Sequence, residues 1–219
     1  MKTVCIVQAR TGSQRFPLKV LAALHGKPML AHVLERAAAI PGVDEVCLAI
    51  PESDKRLLGH LWPVVSCGPE NDVLTRYLNA ACSRAADVIV RVTGDCPLLA
   101  PDLAGRAVEC FKAAGKGYLA CCMPYMEVAD GWDVEMFDYD TLSAAAAYAT
   151  KREHVTTWMR EQGAPWTFPT PHLLDYSKLK LSVDTREDLA VVDKVMAALD
   201  DPKDFGYKAT ARAWRKVMA

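Results

Sequence analysis

The sequence has almost no net charge: 26 lysines and arginines against 27 aspartates and glutamates leave a formal value of −1 over 219 residues. That balance excludes a whole-molecule field able to collect nucleic acid or an anionic membrane surface, so any anion site must be local. Long apolar runs are lacking as well. The stretch from Met1 to Val7 holds one lysine and passes directly into polar residues, too short for a secretory leader or a membrane span, so a cytoplasmic location is expected. The eight cysteines include no CxxC pair, which excludes the common zinc and redox spacings. Most sit in apolar runs, as small buried hydrophobes of a reducing compartment do, and Cys96 alone lies beside a candidate site. With 51% hydrophobic and 24% charged residues the chain is an ordinary globular one, read as a single domain over 1–219.

What is present first is alternation. Thr3 to Gln8, Glu45 to Ile50, Val64 to Cys67 and Asp87 to Val92 are short runs of Val, Ile, Leu and Cys with little period-two patterning, as expected of parallel strands buried on both faces. Helix patterns separate or follow them at Pro28 to Ile40, Asp54 to Leu61, Asp72 to Ala85 and Pro101 to Ala114, and again at Thr141 to Ala149, Lys151 to Gln162, Arg186 to Leu199 and Thr210 to Met218. Thr185 followed three residues later by Asp188 spells a capping box. A βαβ series of this kind implies an α/β fold with a mostly parallel sheet between helices. Around 118–137 the pattern breaks into a strand candidate at Tyr118, a Met, Pro and Gly-containing stretch and a second strand candidate from Asp133 to Phe137, read as an excursion from the sheet.

The loop after the first strand reads ARTGSQRFPLK from Ala9. No acidic residue precedes Glu35, while Arg10, Arg15 and Lys19 all fall in this loop. Gly12 and Ser13 let backbone N–H groups approach a ligand, and the cations grip phosphate oxygens, which suits a triphosphate. Only one glycine lies between Ala9 and Lys19, so neither a GxxxxGK phosphate loop nor a dinucleotide GxGxxG is present.

A second motif, TGDCPLL from Thr93 to Leu99, follows the fourth strand. In an open α/β sheet the ligand lies outside the carboxyl ends of the strands, where the strand order reverses. A strand order of 3-2-1-4 brings the basic loop and Asp95 to one crevice, and a carboxylate beside a triphosphate implies Mg²⁺. The plainer reading makes Asp95 a turn former or a cap for the helix beginning near Pro101.

These two motifs, with GKPML at Gly26 to Leu30, GWDVEMF at Gly131 to Phe137, REHVT at Arg152 to Thr156 and LSVDTREDL at Leu181 to Leu189, resemble the spore coat polysaccharide biosynthesis cytidylyltransferases, relatives of the synthetases of CMP-sialic acid and CMP-KDO. The resemblance runs to about Leu199. It implies a Rossmann-like nucleotidyltransferase fold, CTP as donor, a magnesium ion, a sugar or sugar-acid acceptor for glycan assembly, pyrophosphate as leaving group and frequently a homodimer. By position, Ala9, Arg10, Gly12, Ser13, Arg15 and Lys19 would bind the nucleotide. Asp95 would hold the metal with Asp184 as its second carboxylate, and Arg10, Arg15, Lys19 and Asp95 would carry catalysis. The chain departs from the pattern at Leu18, where glycine is usual, and at Arg186, where proline is usual; if the glycine is needed for positive φ, the loop is reshaped and Lys19 displaced.

Other candidates carry two readings each. Asp72 and Arg76 are an (i, i+4) pair, either a surface ion pair or a wall for the base. Asp133 and Glu135 share a face if both lie on a strand, and that face would meet the sugar or simply be polar. His154 would touch the acceptor or serve structure. Asp138, Tyr139 and Asp140 spell DxD, the mark of a rival class, glycosyltransferases that use a finished nucleotide sugar, although Asp138 also suits a helix cap. A nucleotide sensor without turnover is a third class.

Overall fold

Residues alternating along the first strand divide between two cores. In the computed structural model, which describes residues 1–121, 128–163, 176 and 178–219, strand β1 (Thr3–Gln8) sends Cys5 and Val7 to one apolar cluster and Val4 and Ile6 to the other. Side chains alternate faces along a strand, so a strand covered on both sides reads as one continuous apolar run.

A two-stranded antiparallel ribbon, β2 (Ala23–Leu24) and β3 (Lys27–Pro28), follows the first loop. The main sheet is completed by β4 (Glu45–Pro51), β5 (Val65–Gly68), β6 (Val88–Thr93), β7 (Tyr118–Ala120) and β8 (Glu135–Asp138), in the order β5-β4-β1-β6-β8-β7. The first four are parallel, with β8 antiparallel to both β6 and β7. The expected 3-2-1-4 order holds for the parallel strands, and the excursion supplies the antiparallel edge.

Helices α1 (Met29–Ala38), α4 (Pro101–Ala114), α7 (Arg186–Ala197) and α8 (Tyr207–Met218) pack on one face. The other face is covered by α3 (Val73–Ser83), α5 (Tyr139–Tyr148) and α6 (Thr157–Glu161), while α2 (Lys55–Leu58) is a single turn after β4 whose Leu58 joins the first core. Trp132 is fully buried, donates to the Leu98 carbonyl (2.9 Å) and meets Tyr207 edge-on (6.0 Å between centroids), fixing the excursion and α8 to the same core. Among the described residues no helix is long and apolar enough to cross a membrane.

Two helices are shorter than the pattern predicts. The helix expected over Asp54 to Leu61 reduces to α2, because Asp54 closes a 3₁₀ turn (Glu52–Asp54) with its carboxylate committed to Thr11. The helix expected from Lys151 begins at Thr157, because Arg152 is spent on α3: its carbonyl accepts from Leu74 (3.0 Å) and its guanidinium binds Asp72 (2.7 Å) and the Thr75 hydroxyl (2.7 Å).

The last strand also starts later than expected, at Glu135, leaving Asp133 in the preceding turn where its carboxylate accepts from the Gly131 N–H (3.1 Å). Burial pushes the Asp133 carboxyl up. Glu135 does not face a ligand either. It is 2% exposed and joins Arg91 of β6, the Tyr118 hydroxyl of β7 and Arg160 of α6 (2.6 Å). Burial alone would raise this carboxyl, but Arg91 and Arg160 hold it below its ordinary 4.5. A buried charge that loses its partner is left uncompensated, so Glu135→Ala is expected to lower stability in urea denaturation by about 3–5 kcal/mol. Because the folded value is depressed, the wild-type contribution is complete above pH 4.5 and is lost as the pH falls through the lower folded value, whereas Glu135→Ala should show no such acid-dependent term.

Candidate active site

The loop after β1 is held from outside. Thr11 donates its backbone N–H (2.7 Å) and its hydroxyl (2.6 Å) to the two oxygens of buried Asp54, and its carbonyl accepts from Ser13 (2.9 Å) and Leu18 (3.1 Å), closing the turn. Phe16 is buried beneath the loop, and Arg186 at the start of α7 lays its guanidinium over that ring at 4.8 Å. Leu18 adopts φ 59° and ψ 21°, the left-handed conformation in which glycine is at ease. The left-handed turn is therefore made by a leucine at the cost of backbone strain, and Lys19 follows it at the cleft.

The acidic turn after β6 packs directly against the end of β1. Gly94 donates to the Gln8 carbonyl (2.8 Å), and a Cβ at Gly94 would lie 2.9 Å from that oxygen and 3.0 Å from Ala9 Cβ, so only glycine permits the approach. Asp95 follows. Its carbonyl accepts from Val183 (2.8 Å), which draws the segment carrying Asp184 alongside. That segment is braced from the excursion, where the Asp130 carbonyl accepts from Leu181 (2.7 Å) and Ser182 (3.1 Å). Gly131, at φ 106°, lies so close to Leu181 that a Cβ would stand 2.8 Å from its carbonyl carbon.

The two motifs meet at Lys19. Its ammonium reaches Asp95 Oδ2 (2.9 Å), Asp184 Oδ1 (3.1 Å) and the Val183 carbonyl (2.8 Å), and Arg15 adds a second cation on Asp184 Oδ1 (2.9 Å). Burial would lower the Lys19 pKa, yet Asp95 and Asp184 hold it above the ordinary lysine value. Burial would raise Asp184, which Lys19 and then Lys180 and Arg15 hold down. Cys96 is packed behind Asp95 with its Sγ 3.2 Å from the Thr93 hydroxyl, and burial pushes the thiol well up, so it is not a nucleophile at neutral pH.

A cleft of about 720 Å³ opens over this cluster. Ala9, Arg10, Gly12, Ser13, Arg15 and Lys19 form one wall, Asp95 and Asp184 lie at its base, and Arg76 and His154 contribute from α3 and the segment before α6. Arg10 also reaches Glu153 (3.5 Å). Arg76 is 1% exposed, and among the described residues its Nε and Nη1 have no hydrogen-bond partner. Buried donors are normally satisfied, so these two are exceptions among the described residues.

Three expected site residues do not line the cleft: Asp133 and Glu135, for the reasons above, and Asp72. The Asp72–Arg76 pair does not form, because Asp72 caps α3 through Thr75 (2.8 Å) and pairs with Arg152. Sequence reasoning missed Asp54, which fixes the loop, and Glu70 and Asn71, which line the cleft just past β5. Their position outside the carboxyl end of a parallel strand was the available signal.

Asp95 and Asp184 converge on one positive charge, and Mg²⁺ is held by one or two carboxylates with substrate phosphates and water, so the donor set fits such an ion. Among the described residues no three acidic, His or Cys side chains converge. A metal here would draw its other ligands from bound phosphate or water.

Leu18 offers a stability test. Its side chain is 49% exposed and loses little burial on removal, so relief of the left-handed backbone outweighs the added freedom of the unfolded chain. Leu18→Gly is expected to raise the unfolding free energy by about 0.5–1 kcal/mol in urea titration. A decrease would mean that the leucine packs productively.

A family model described as cytidylyltransferase matches residues 4–201. An uncharacterized protein of Methanocaldococcus jannaschii is 34% identical over 201 residues, covering 86% of this chain and 80% of that one. A 3-deoxy-manno-octulosonate cytidylyltransferase of Pelobacter propionicus is 37% identical over 112 residues, 50% of this chain and 44% of its own length. The structure of a cytidylyltransferase from Leptospira borgpetersenii superposes with a TM-score of 0.89 at 27% identity, covering 99% of this chain and 94% of its own. The structure of a CMP:2-keto-3-deoxy-manno-octonic acid synthetase complexed with CTP gives 0.66 at 19% identity, covering 90% and 99%, a likeness of fold. The chain belongs to the cytidylyltransferase family.

Proposed function

We propose that this chain transfers CMP from CTP to a hydroxyl of a sugar or sugar acid, with release of pyrophosphate, producing an activated sugar for glycan assembly. The observation that carries the reading is the meeting of the cationic loop with Asp95 and Asp184 in one cleft, through Lys19. Arg10, Arg15 and Lys19 offer positive charge to the triphosphate, and small residues at Gly12 and Ser13 let the backbone approach it. Bound Mg²⁺, held by Asp95 and Asp184, would supply Lewis-acid stabilisation of charge on the phosphoryl oxygens. The acceptor hydroxyl attacks the α-phosphorus and gives up its proton to water, the P–O bond to the β-phosphate breaks, and Arg15 and Lys19 stabilise the negative charge that passes to pyrophosphate. His154 lines the same cleft and, on this reading, would meet the acceptor.

Arg76 lines the same cleft from α3, so a base lying on that side would meet its guanidinium. The rival reading, a glycosyltransferase using a nucleotide sugar, loses its sequence basis: Asp138 of the DxD accepts from Thr141 (2.7 Å) as the cap of α5 and from Gly117 (2.7 Å), and neither Asp138 nor Asp140 lines the cleft.

Incubation with CTP, Mg²⁺ and a panel of sugars and 2-keto sugar acids should release pyrophosphate with at least one acceptor. Cleavage of CMP- or UDP-sugars, with no pyrophosphate from CTP, would instead establish the rival. Of the four nucleoside triphosphates with Mg²⁺, CTP should raise the melting temperature most. Asp95→Ala is expected to lower kcat about a thousandfold, in keeping with the several kcal/mol of metal charge stabilisation. Arg76→Met should raise KM for CTP about 10- to 100-fold with kcat little changed, the scale of a hydrogen bond to a charged group.

A further inference from the structure

The coordination of Lys19 is complete without any ligand. An ammonium has three donors, and here they go to Asp95 Oδ2 at 2.9 Å, Asp184 Oδ1 at 3.1 Å and the Val183 carbonyl at 2.8 Å. The side chain is 12% exposed, so these contacts are shielded from water and are not loose surface pairs. No donor remains for a phosphate oxygen unless one of the three lets go. The surrounding charges are balanced as well. Arg15 and Lys180 reach Asp184 at 2.9 and 3.5 Å, and Lys180 also holds Asp130 at 3.2 Å, so Lys19, Arg15 and Lys180 face Asp95, Asp184 and Asp130. A divalent cation arriving alone would therefore meet a neutral cluster whose carboxylates are already taken. A triphosphate changes both conditions, adding about four negative charges and competing for Lys19 and Arg15.

Resting on the function proposed above, we infer that Lys19 is the resident counter-ion of Asp95 and Asp184, and that it releases them to a divalent cation only when a triphosphate draws the ammonium away. Lys19 is then a positioning residue before it is a phosphate ligand. It keeps two carboxylates from loops 89 residues apart side by side, and it makes metal entry conditional on nucleotide. Coupling of this kind is reciprocal: whatever factor the triphosphate adds to metal affinity, the metal adds to triphosphate affinity.

The test reads Mn²⁺ uptake by electron paramagnetic resonance on nucleotide-free protein, so it needs no turnover and no acceptor. Wild type should leave Mn²⁺ free, Lys19→Met should bind it at least tenfold more tightly, and Lys19→Arg, which keeps the charge, should not. Adding Asp184→Asn to Lys19→Met should abolish the gain, which assigns the uptake to this site. Equal Mn²⁺ affinity in wild type and Lys19→Met would overturn the inference. If Lys19→Met does not fold, wild type alone decides: Mn²⁺ without nucleotide should leave the melting temperature unchanged, while Mn²⁺ with CTP should raise it above CTP alone. A rise with Mn²⁺ alone equal to that with both would again overturn the inference. The proposed function would fail separately, by absence of pyrophosphate from CTP with every acceptor.

Discussion

The parallel pairing of β1 with β6 is the constraint on which the cleft depends. The two strands run in register from Thr3 opposite Val88 to Gln8 opposite Thr93, so they end together and release their loops at the same edge of the sheet. The cationic loop and the acidic turn have no freedom to be elsewhere. Gly94 then sets how closely they approach, and the Val183 to Asp95 backbone bond brings the third segment to the same point. Each step uses backbone geometry first and side-chain chemistry second.

Rigidity around the cleft comes from charges that do not enter it. Asp54 pins the loop through Thr11, Arg152 ties the His154 segment to α3, and Glu135 joins three strands to α6. Each is a hydrogen-bonded ion or polar pair at least partly shielded from solvent, where removal of one partner is costly. The residues lining the cleft are thus kept in position by others of the same chemical types.

That division explains how much of the protein could be read from its sequence. The parallel strands were legible because burial on both faces leaves an uninterrupted apolar run, whereas the 3-2-1-4 order entered as a condition that the structure meets. The loop and Asp95 were legible because small residues, cations and a turn carboxylate stand at strand ends. Asp54 and Glu135 were not, since a carboxylate that fixes a loop or joins strands differs from a catalytic one only in its partners, which lie 43 residues away for Thr11 and 44 for Arg91. Asp72 misled through helical spacing, because Arg152 outcompetes Arg76 for it. Leu18 could not be judged from identity alone: a leucine can take the left-handed conformation when the hydrogen bonds around Thr11 enforce it.

The distance along the chain between Lys19 and Asp184 has a consequence for the nascent protein. These partners are separated by 165 residues, while the loop, Asp95 and the first four parallel strands all precede residue 96. As the polypeptide leaves the ribosome, the amino-terminal half can collapse around its sheet with Lys19 answered by one carboxylate only. Chains ending before residue 184 would therefore carry the cationic loop and Asp95 yet lack the second acid, leaving the Lys19 ammonium one partner short.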